Sequence, residues 1–160
     1  MRIEAVWSMR TVNRQEAYTI MNVSPLRLSI VVPTFNESQN VQELLCRLEA
    51  TLGATGWEVI FVDDDSPDGT AIEVRAIARI DSRIRCLQRV GRRGLASACI
   101  EGMLATAAPT IAVMDTDLQH DETVLQRMLA EIEQGGADLG SVRGMLLVEA
   151  QVTGTVVVRP

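Results

Sequence analysis

Two aspartates, Asp115 and Asp117, have the residue type and spacing of a metal-binding pair. They stand two positions apart directly after an apolar run, so both carboxylates can reach one hard divalent cation through oxygen atoms. A cation held there acts as a Lewis acid on a leaving diphosphate, such as that of a nucleotide sugar. The pair alone is a weak signal, because an acidic turn or a helix cap has the same pattern.

A second acidic cluster, 63–65 followed by Asp68, comes after another apolar run. The carboxylate of Asp64 is placed to accept hydrogen bonds from a base or a ribose. Residues 66–70 predict a tight turn and a helix cap, with Pro and Gly at positions that turns favour. A solvated turn does not explain three consecutive aspartates, because packing like charges costs free energy without a ligand or a counter-ion.

Apolar runs alternate with segments of helical periodicity, which indicates alternating strands and helices. The predicted strands are 28–32, 58–62, 84–87 and 110–114, and the predicted helices are 41–52, 70–80, 95–107 and a last one ending at 133. Ser38 is the predicted N-cap of the first helix, and Asp121 or Thr123 that of the last. This order predicts an α/β fold with a parallel sheet covered on both faces. Ligands of such sheets bind at the carboxyl ends of the strands, where residues 33–37 and both acidic clusters fall.

The composition excludes several classes of protein. The 160 residues suit one domain, and a net charge of −6 argues against a nucleic-acid binder. All 15 basic residues are arginine, which excludes a P-loop lysine, a Schiff-base lysine and the lysine of a receiver domain. The segment after the first strand is not the Gly-x-Gly-x-x-Gly of a dinucleotide-dependent oxidoreductase. It also lacks the Gly-rich basic loop that nucleotidyltransferases usually place there.

Three cysteines, Cys46, Cys86 and Cys99, lie in apolar stretches without Cys-x-x-Cys spacing. We expect buried free thiols in a reducing compartment, and no zinc site. No apolar run approaches the roughly 18 residues that span a bilayer, and the N-terminal segment lacks the apolar region of a secretory signal. We therefore expect a cytoplasmic protein, with any membrane contact either peripheral on the cytoplasmic face or supplied by a membrane-anchoring partner.

Four segments match known sequence patterns. Residues 29–37 read SIVVPTFNE, and residues 62–70 read VDDDSPDGT, close to a DDGSPDGT pattern. Residues 89–101 follow an Arg-x-Gly-x-x-Gly-Leu-x-x-Ala pattern, and residues 114–120 read MDTDLQH, close to MDADLQH. Together and in this order, they resemble family 2 glycosyltransferases, most closely the dolichyl- or polyprenol-phosphate mannosyltransferase branch.

The resemblance implies a Rossmann-like GT-A fold, a three-layer α/β sandwich with a mostly parallel central sheet. It implies inverting transfer of a sugar, with GDP-mannose as the favoured donor, to a polyprenol or dolichyl phosphate at a membrane surface. Asp115 and Asp117 would be the catalytic residues and, with Gln119, would bind Mg²⁺ or Mn²⁺. The residues implied in donor binding are Pro33, Phe35, Glu37, Val62, Asp64, Arg92, Arg93 and Thr116. For the two arginines, a solvated basic loop is an equal alternative. A phosphate acceptor is already anionic near neutral pH, so the need for a general base is relaxed.

The sequence departs from the family pattern at two places. Asp65 stands where the family usually has glycine, and the similarity fades after Leu139. We therefore divide the chain into a disordered leader (1–26), a nucleotide-sugar-binding domain (27–139) and an atypical tail (140–160). The tail lacks the family's later segments, so the fold is expected to be truncated on its C-terminal side. A non-catalytic nucleotide-sugar-binding remnant and a family 2 transferase that uses a UDP-sugar are the open alternatives.

Overall fold

The computed structural model describes residues 25–116, 118, 122–135, 139–142 and 145–149 of the chain. The leader predicted for residues 1–26 lies outside this range except for residues 25 and 26, and the valine-rich stretch 152–158 lies wholly outside it. No helix in the described ranges is long and apolar enough to cross a membrane.

Strands and helices alternate along the described chain. In chain order they are β1 (Leu28–Thr34), α1 (Val41–Leu52), β2 (Trp57–Asp63), α2 (Thr70–Ala78), β3 (Ile84–Gln88), α3 (Leu95–Leu104), β4 (Thr110–Met114), α4 (Val124–Glu133), β5 (Leu139–Val142) and β6 (Met145–Glu149). Every predicted strand and helix is present. The prediction for α3 ran to residue 107, whereas the helix ends at Leu104. The hydroxyl of Thr106 accepts the Ala108 N–H at 3.0 Å, a local side-chain bond that competes with further helical turns.

The prediction of Ser38 as the N-cap of α1 was wrong. The helix begins at Val41, with Asn40 at the N-cap position. The N–H of Ser38 instead donates to Oδ2 of Asp68 at 3.0 Å, so Ser38 belongs to a contact between two loops. At the last helix, Thr123 is at the N-cap position, as one of the two predicted alternatives had it, while Asp121 lies outside the described residues.

The sheet has the strand order β3-β2-β1-β4-β6-β5. Its first four strands are parallel, β6 pairs antiparallel with β4, and β5 pairs antiparallel with β6. The mostly parallel sheet predicted from the sequence is thus confirmed. The sheet continues beyond residue 139, because β5 and β6 occupy much of the segment set apart as a tail; the division into leader, domain and tail stays a proposal.

Helices cover both faces of the parallel strands, which gives the three predicted layers. One face carries α1, α2 and α4, whose buried side chains pack with Ile30, Val59 and Phe61. The other face carries α3, packed on Val31 and Val62. Neighbouring residues of a strand point to opposite faces, so continuous apolar runs fill both cores.

A close contact fixes the position of α3. A β-carbon added to Gly102 would lie 2.4 Å from Cγ1 of Val31 and 2.9 Å from Cγ2 of Val62. Only glycine lets the helix backbone approach the sheet this closely, and the carboxyl edge of the sheet then lies beside the start of α3.

Candidate active site

The loops after β1 and β2 meet at the carboxyl edge of the sheet. The N–H of Asp64 donates to the carbonyl of Thr34 at 3.0 Å, and the N–H of Asn36 donates to the Ser66 hydroxyl at 2.9 Å. These bonds continue the pairing of the two strands into their loops. The segments 33–37 and 63–68, predicted to lie together, are therefore in contact.

Asp68 also joins the loop after β1 to the loop after β2. Its Oδ1 accepts the N–H of Thr70 at 3.0 Å and the Thr70 hydroxyl at 2.6 Å, while Oδ2 accepts the N–H of Ser38. The Thr70 hydroxyl in turn accepts the N–H of Glu37 at 3.1 Å. Burial acts to raise the pKa of Asp68, but hydrogen bonds from Thr70 and Ser38 outweigh it and lower that pKa to about 2. Asp68 is thus an ionised structural carboxylate that holds two loops in register.

Asp65 replaces the family's usual glycine at a position with a left-handed backbone. Its φ is 57°, a region where glycine is favoured and where aspartate is among the better-tolerated side chains. The carboxylate accepts a hydrogen bond from Nε2 of Gln88 at 2.8 Å. The turn therefore keeps a conformation that suits glycine, and the added side chain is tied to the end of β3.

A buried arginine, Arg89, is the functional residue that the sequence argument missed. It is 1% exposed, and its Nη1 lies 2.8 Å from Oδ1 of Asp64. The other carboxylate oxygen of Asp64 accepts the N–H of Gly94 at 2.8 Å, and Arg89 also donates to the Gly94 carbonyl at 3.1 Å. Nε of Arg89 lies 3.4 Å from Oε1 of Glu101, and an Nη2 hydrogen bond reaches Ser97.

This ring of contacts gives Asp64 the counter-ion that three consecutive aspartates require. It also closes the 89–94 turn onto the end of β2. Arg89 is the first residue of the Arg-x-Gly-x-x-Gly pattern and directly follows an apolar strand, so the sequence pattern did include it. The burial of its side chain is a property of the fold and is not visible in that pattern.

Arg92 and Arg93, the predicted donor-binding arginines, differ in their contacts. Arg92 is held by Glu101 through bonds of 2.9 and 3.1 Å, with 61% of its side chain exposed. The guanidinium of Arg93 lies over the ring of Phe35, 4.3 Å from the ring centroid. This cation–π contact joins the loop after β1 to the loop after β3 and brings two predicted donor-binding residues together.

The remaining predicted donor residues fall into two groups. Pro33 is half-buried near the end of β1, and Glu37 is half-buried in the loop after it. Oε2 of Glu37 accepts a hydrogen bond of 2.6 Å from the Asn40 amide. Val62 is 0% exposed and packs under α3, so its side chain is a core residue and is not brought to the site. Thr116 is also 0% exposed, and its hydroxyl has no hydrogen-bond partner within the described ranges.

Asp115 follows β4 at the same edge of the sheet and is exposed. Its Oδ1 accepts the N–H of Thr116 at 2.8 Å. The other two predicted metal ligands, Asp117 and Gln119, lie outside the described residues. Among the residues that are described, no group of three or more His, Cys, Asp or Glu is arranged to hold a metal ion. Asp115 itself suits such an ion, because its carboxylate supplies hard oxygen ligands and is exposed at the carboxyl edge of the parallel strands.

The cysteines are free, as expected, but Cys46 is exposed and the other two are half-buried, so the prediction that all are buried was wrong. Burial raises the pKa of the Cys99 thiol and outweighs the nearby charge of Arg89, which acts to lower that pKa. Burial likewise raises the pKa of Cys86.

Comparisons with known proteins agree with this arrangement. Residues 29–144 match the family model described as Glycosyl transferase family 2. The chain is 33% identical over 110 residues to a dolichol-phosphate mannosyltransferase of Pyrococcus furiosus, covering 69% of this chain and 31% of that protein. It is 36% identical over 120 residues to a dodecaprenyl-phosphate galacturonate synthase of Rhizobium johnstonii, covering 73% of this chain and 36% of that protein.

A solved structure of a mannosyltransferase is also similar to this chain. A mannosyltransferase of Pyrobaculum calidifontis, in complex with GDP-Man and Mn²⁺, is 27% identical with a TM-score of 0.51. The alignment covers 57% of this chain and 27% of that one. The chain thus spans about a third of the length of the two curated relatives.

Proposed function

Because this chain belongs to glycosyltransferase family 2, we propose that it binds a nucleotide-diphosphate sugar and takes part in transferring the sugar, with inversion, to a polyprenol phosphate. The observation that supports this most is the convergence of the four motifs. The loops after β1, β2 and β3 lie at one edge of the sheet and are joined through the Asp64–Arg89 and Phe35–Arg93 contacts. Asp115, the first residue of the Asp-x-Asp segment, follows β4 at the same edge. Parallel sheets bind their ligands at this edge.

The proposed reaction is a direct displacement. An oxygen of the acceptor phosphate forms a bond to the anomeric carbon, while the bond from that carbon to the nucleoside diphosphate breaks and its electron pair leaves with the diphosphate. The acceptor phosphate is anionic near neutral pH, so no base has to remove a proton from it. A divalent cation, Mg²⁺ or Mn²⁺, bound by Asp115 and the predicted ligands Asp117 and Gln119, would supply Lewis-acid stabilisation of the leaving charge.

The positions of Asp64, Arg92 and Arg93 indicate how each would contact the donor. Asp64 is held in one orientation by Arg89 and Gly94, which fixes its carboxylate at the edge where we propose that a base or a ribose binds. Arg93 is kept near the site by Phe35, where its charge is available to phosphate. Arg92, which Glu101 neutralises, is the weaker candidate for that contact.

GDP-mannose is the donor we favour, because one relative is named as a dolichol-phosphate mannosyltransferase and the similar solved structure contains GDP-Man. The galacturonate synthase shows that relatives of this chain act on other sugars, so a UDP-sugar is the rival donor. We also propose a cytoplasmic location with peripheral contact at a membrane. The three free cysteines support a reducing compartment.

Donor titration by calorimetry tests this proposal. GDP-mannose and UDP-glucose are titrated into the 160-residue chain with and without Mn²⁺. We expect metal-dependent binding of GDP-mannose, weakened at least roughly tenfold in Asp115→Asn because a metal-binding carboxylate is lost. Asp81→Asn is the matched control, since Asp81 precedes β3 at the opposite edge of the sheet and bonds to Arg83.

Each outcome of the titration has a meaning. Tighter binding of UDP-glucose would replace the donor assignment, and no binding of either donor by folded protein would contradict the proposal. Donor binding without sugar transfer to polyprenol phosphate would identify the chain as a nucleotide-sugar-binding part without activity of its own.

A further inference from the structure

The segment between β4 and α4, which carries the predicted metal ligands, is held by an arginine of α1. Nη1 of Arg47 donates to the carbonyl of Leu118 at 3.1 Å and lies 3.7 Å from Oε1 of Glu122. Leu118 belongs to the MDTDLQH motif, and Glu122 shortly precedes α4. Arg47 is 71 positions from Leu118 in the chain and belongs to none of the four motifs. One side chain from outside the motifs therefore contacts this segment at two points.

Leu118 has a backbone conformation that needs support from its surroundings. Its φ is 59°, in the left-handed region. In the part of the chain that is described, the other non-glycine residues with positive φ are Asn36 and Asp65, whose side-chain types tolerate that region better than leucine does. Such a backbone persists where neighbouring groups hold it. At Leu118 these are the core on the α1, α2 and α4 face, against which the side chain packs, and the bond from Arg47 to the carbonyl.

The guanidinium of Arg47 is itself oriented by an acid on each side. Its Nε donates to Oε1 of Glu43, one turn earlier in α1, at 2.8 Å. On the other side, the side chain of Glu122 is 9% exposed, and its Oε1 has no hydrogen-bond partner among the residues that the structure describes. A buried carboxylate requires a counter-ion. The ion pair with Glu122 therefore keeps Arg47 beside the Leu118 carbonyl.

We propose that Arg47 is a positioning residue for the metal site. It fixes the left-handed turn at Leu118, and with it the backbone positions from which Asp117 and Gln119 reach the cation. This inference rests on the proposed function, in which those two residues bind the metal with Asp115. Leu118 stands between Asp117 and Gln119 in the chain, so a change in its φ and ψ redirects one of them relative to the other. Loss of a contact that orients metal ligands typically weakens metal binding about 10–100-fold.

Three variants separate this role from plain stabilisation of the fold. Arg47→Met removes the donor to Leu118, whereas Arg47→Lys keeps a charged donor on a long side chain. Arg83→Met is the matched control, because Arg83 also bonds to an acid of α1, Glu49 at 2.7 Å, and both arginines have 37% of their side chains exposed. Arg83 precedes β3 at the opposite edge of the sheet. Its guanidinium also lies over the ring of Trp57, so its removal likewise costs the fold a contact.

Calorimetry measures the metal dependence of donor binding in these variants. GDP-mannose, or UDP-glucose if that donor binds more tightly, is titrated into the 160-residue chain at a series of Mn²⁺ concentrations. We expect Arg47→Met to raise the Mn²⁺ concentration for half-maximal donor affinity roughly tenfold, and Arg47→Lys to raise it less. Arg83→Met should leave it unchanged. A merely structural role for Arg47 would lower stability in urea without changing the metal dependence, and that result would overturn the inference.

Hydrogen exchange of the ligand-free chain tests the contact without donor or metal. Backbone amides of residues 115–123 should exchange faster in Arg47→Met than in Arg83→Met or the unmodified chain, while those of residues 63–70 should not change. Equal exchange at 115–123 would overturn the inference even where donor binding succeeds. Faster exchange in a chain that binds neither donor would contradict the proposed function and leave Arg47 as a structural contact. Failure of the inference and failure of the proposed function are thus told apart.

Discussion

Replacing Arg89 with methionine should destabilise the fold strongly, because it removes the counter-ion of a buried carboxylate. The side chains of Arg89 and Asp64 are 2% and 11% exposed, and they are 2.8 Å apart. Loss of one partner of a buried ion pair costs about 3–5 kcal/mol, since the other charge is left uncompensated. The contact with Glu101, which is 27% exposed, adds less than about 1 kcal/mol. We therefore expect a loss of about 3–5 kcal/mol.

Urea unfolding followed by circular dichroism measures this loss. A matched control is Arg27→Met, which breaks the surface pair with Glu133, whose side chains are 44% and 35% exposed. That variant should lose at most about 1 kcal/mol. The double variant Arg89→Met with Asp64→Leu removes both charges and should be more stable than Arg89→Met alone, because apolar replacement of a whole buried pair costs little.

The reasoning is refuted if Arg89→Met loses no more than Arg27→Met. It is also refuted if the double variant loses the sum of the losses measured for Arg89→Met and for a single Asp64→Leu variant, because that result would mean that the two side chains do not depend on each other.

Three further predictions concern packing, pH and thiol chemistry. Gly102→Ala should lose about 1–3 kcal/mol in urea unfolding, because the added methyl carbon would lie 2.4 Å from a side chain of β1. Asp68 has a pKa of about 2 in the folded chain and 3.8 as its ordinary value. Its stabilising effect is therefore present above about pH 4 and is lost as pH falls towards 2, so the stability gap between the chain and Asp68→Asn should close over that range. Iodoacetamide near neutral pH should modify Cys46 before Cys86 and Cys99, because Cys46 is exposed while burial raises the pKa of the other two; mass spectrometry gives the order.

Each of these predictions has a contrary result. If Gly102→Ala unfolds at the same urea concentration as the unmodified chain, then α3 moves away from the sheet at no cost. A stability gap for Asp68→Asn that stays constant down to pH 2 would show that the bonds from Thr70 and Ser38 do not depend on ionisation. Modification of Cys99 first would mean that this thiol opens to solvent more readily than its burial indicates.

The sequence predicted the fold well because its apolar pattern reports burial directly. Continuous runs such as those of β1 and β2 are buried on both faces, and helical periodicity between them requires crossovers to parallel strands. The motifs follow the carboxyl ends of these strands, and this position predicted that the motifs lie at one edge of the sheet. The predicted ends of helices were less exact, as Ser38 and the last turn of α3 show. Single hydrogen bonds of the loops next to a helix decide where it begins and ends.

The structure brings several of the predicted donor-binding residues close to one another, while their role in donor binding stays a prediction. Arg93 contacts Phe35, and Asp64 is bonded to both ends of the turn that carries Arg93. The side chain of Val62 is not among them. In a strand, one step along the chain reverses the direction of a side chain, and Val62 points into the core under α3.

By itself, the sequence determined the order of elements, the parallel sheet and the edge at which the acidic motifs collect. These follow from the local periodicity of hydrophobic residues, which is a property of short segments. Only the tertiary structure decided that Arg89 neutralises Asp64 and that Asp65 occupies a left-handed turn. Arg89 and Asp64 are 25 residues apart in the chain, and their pairing arises because β2 and β3 are neighbours whose ends meet. A buried charge requires a partner in space, and the sequence does not show which residue that is.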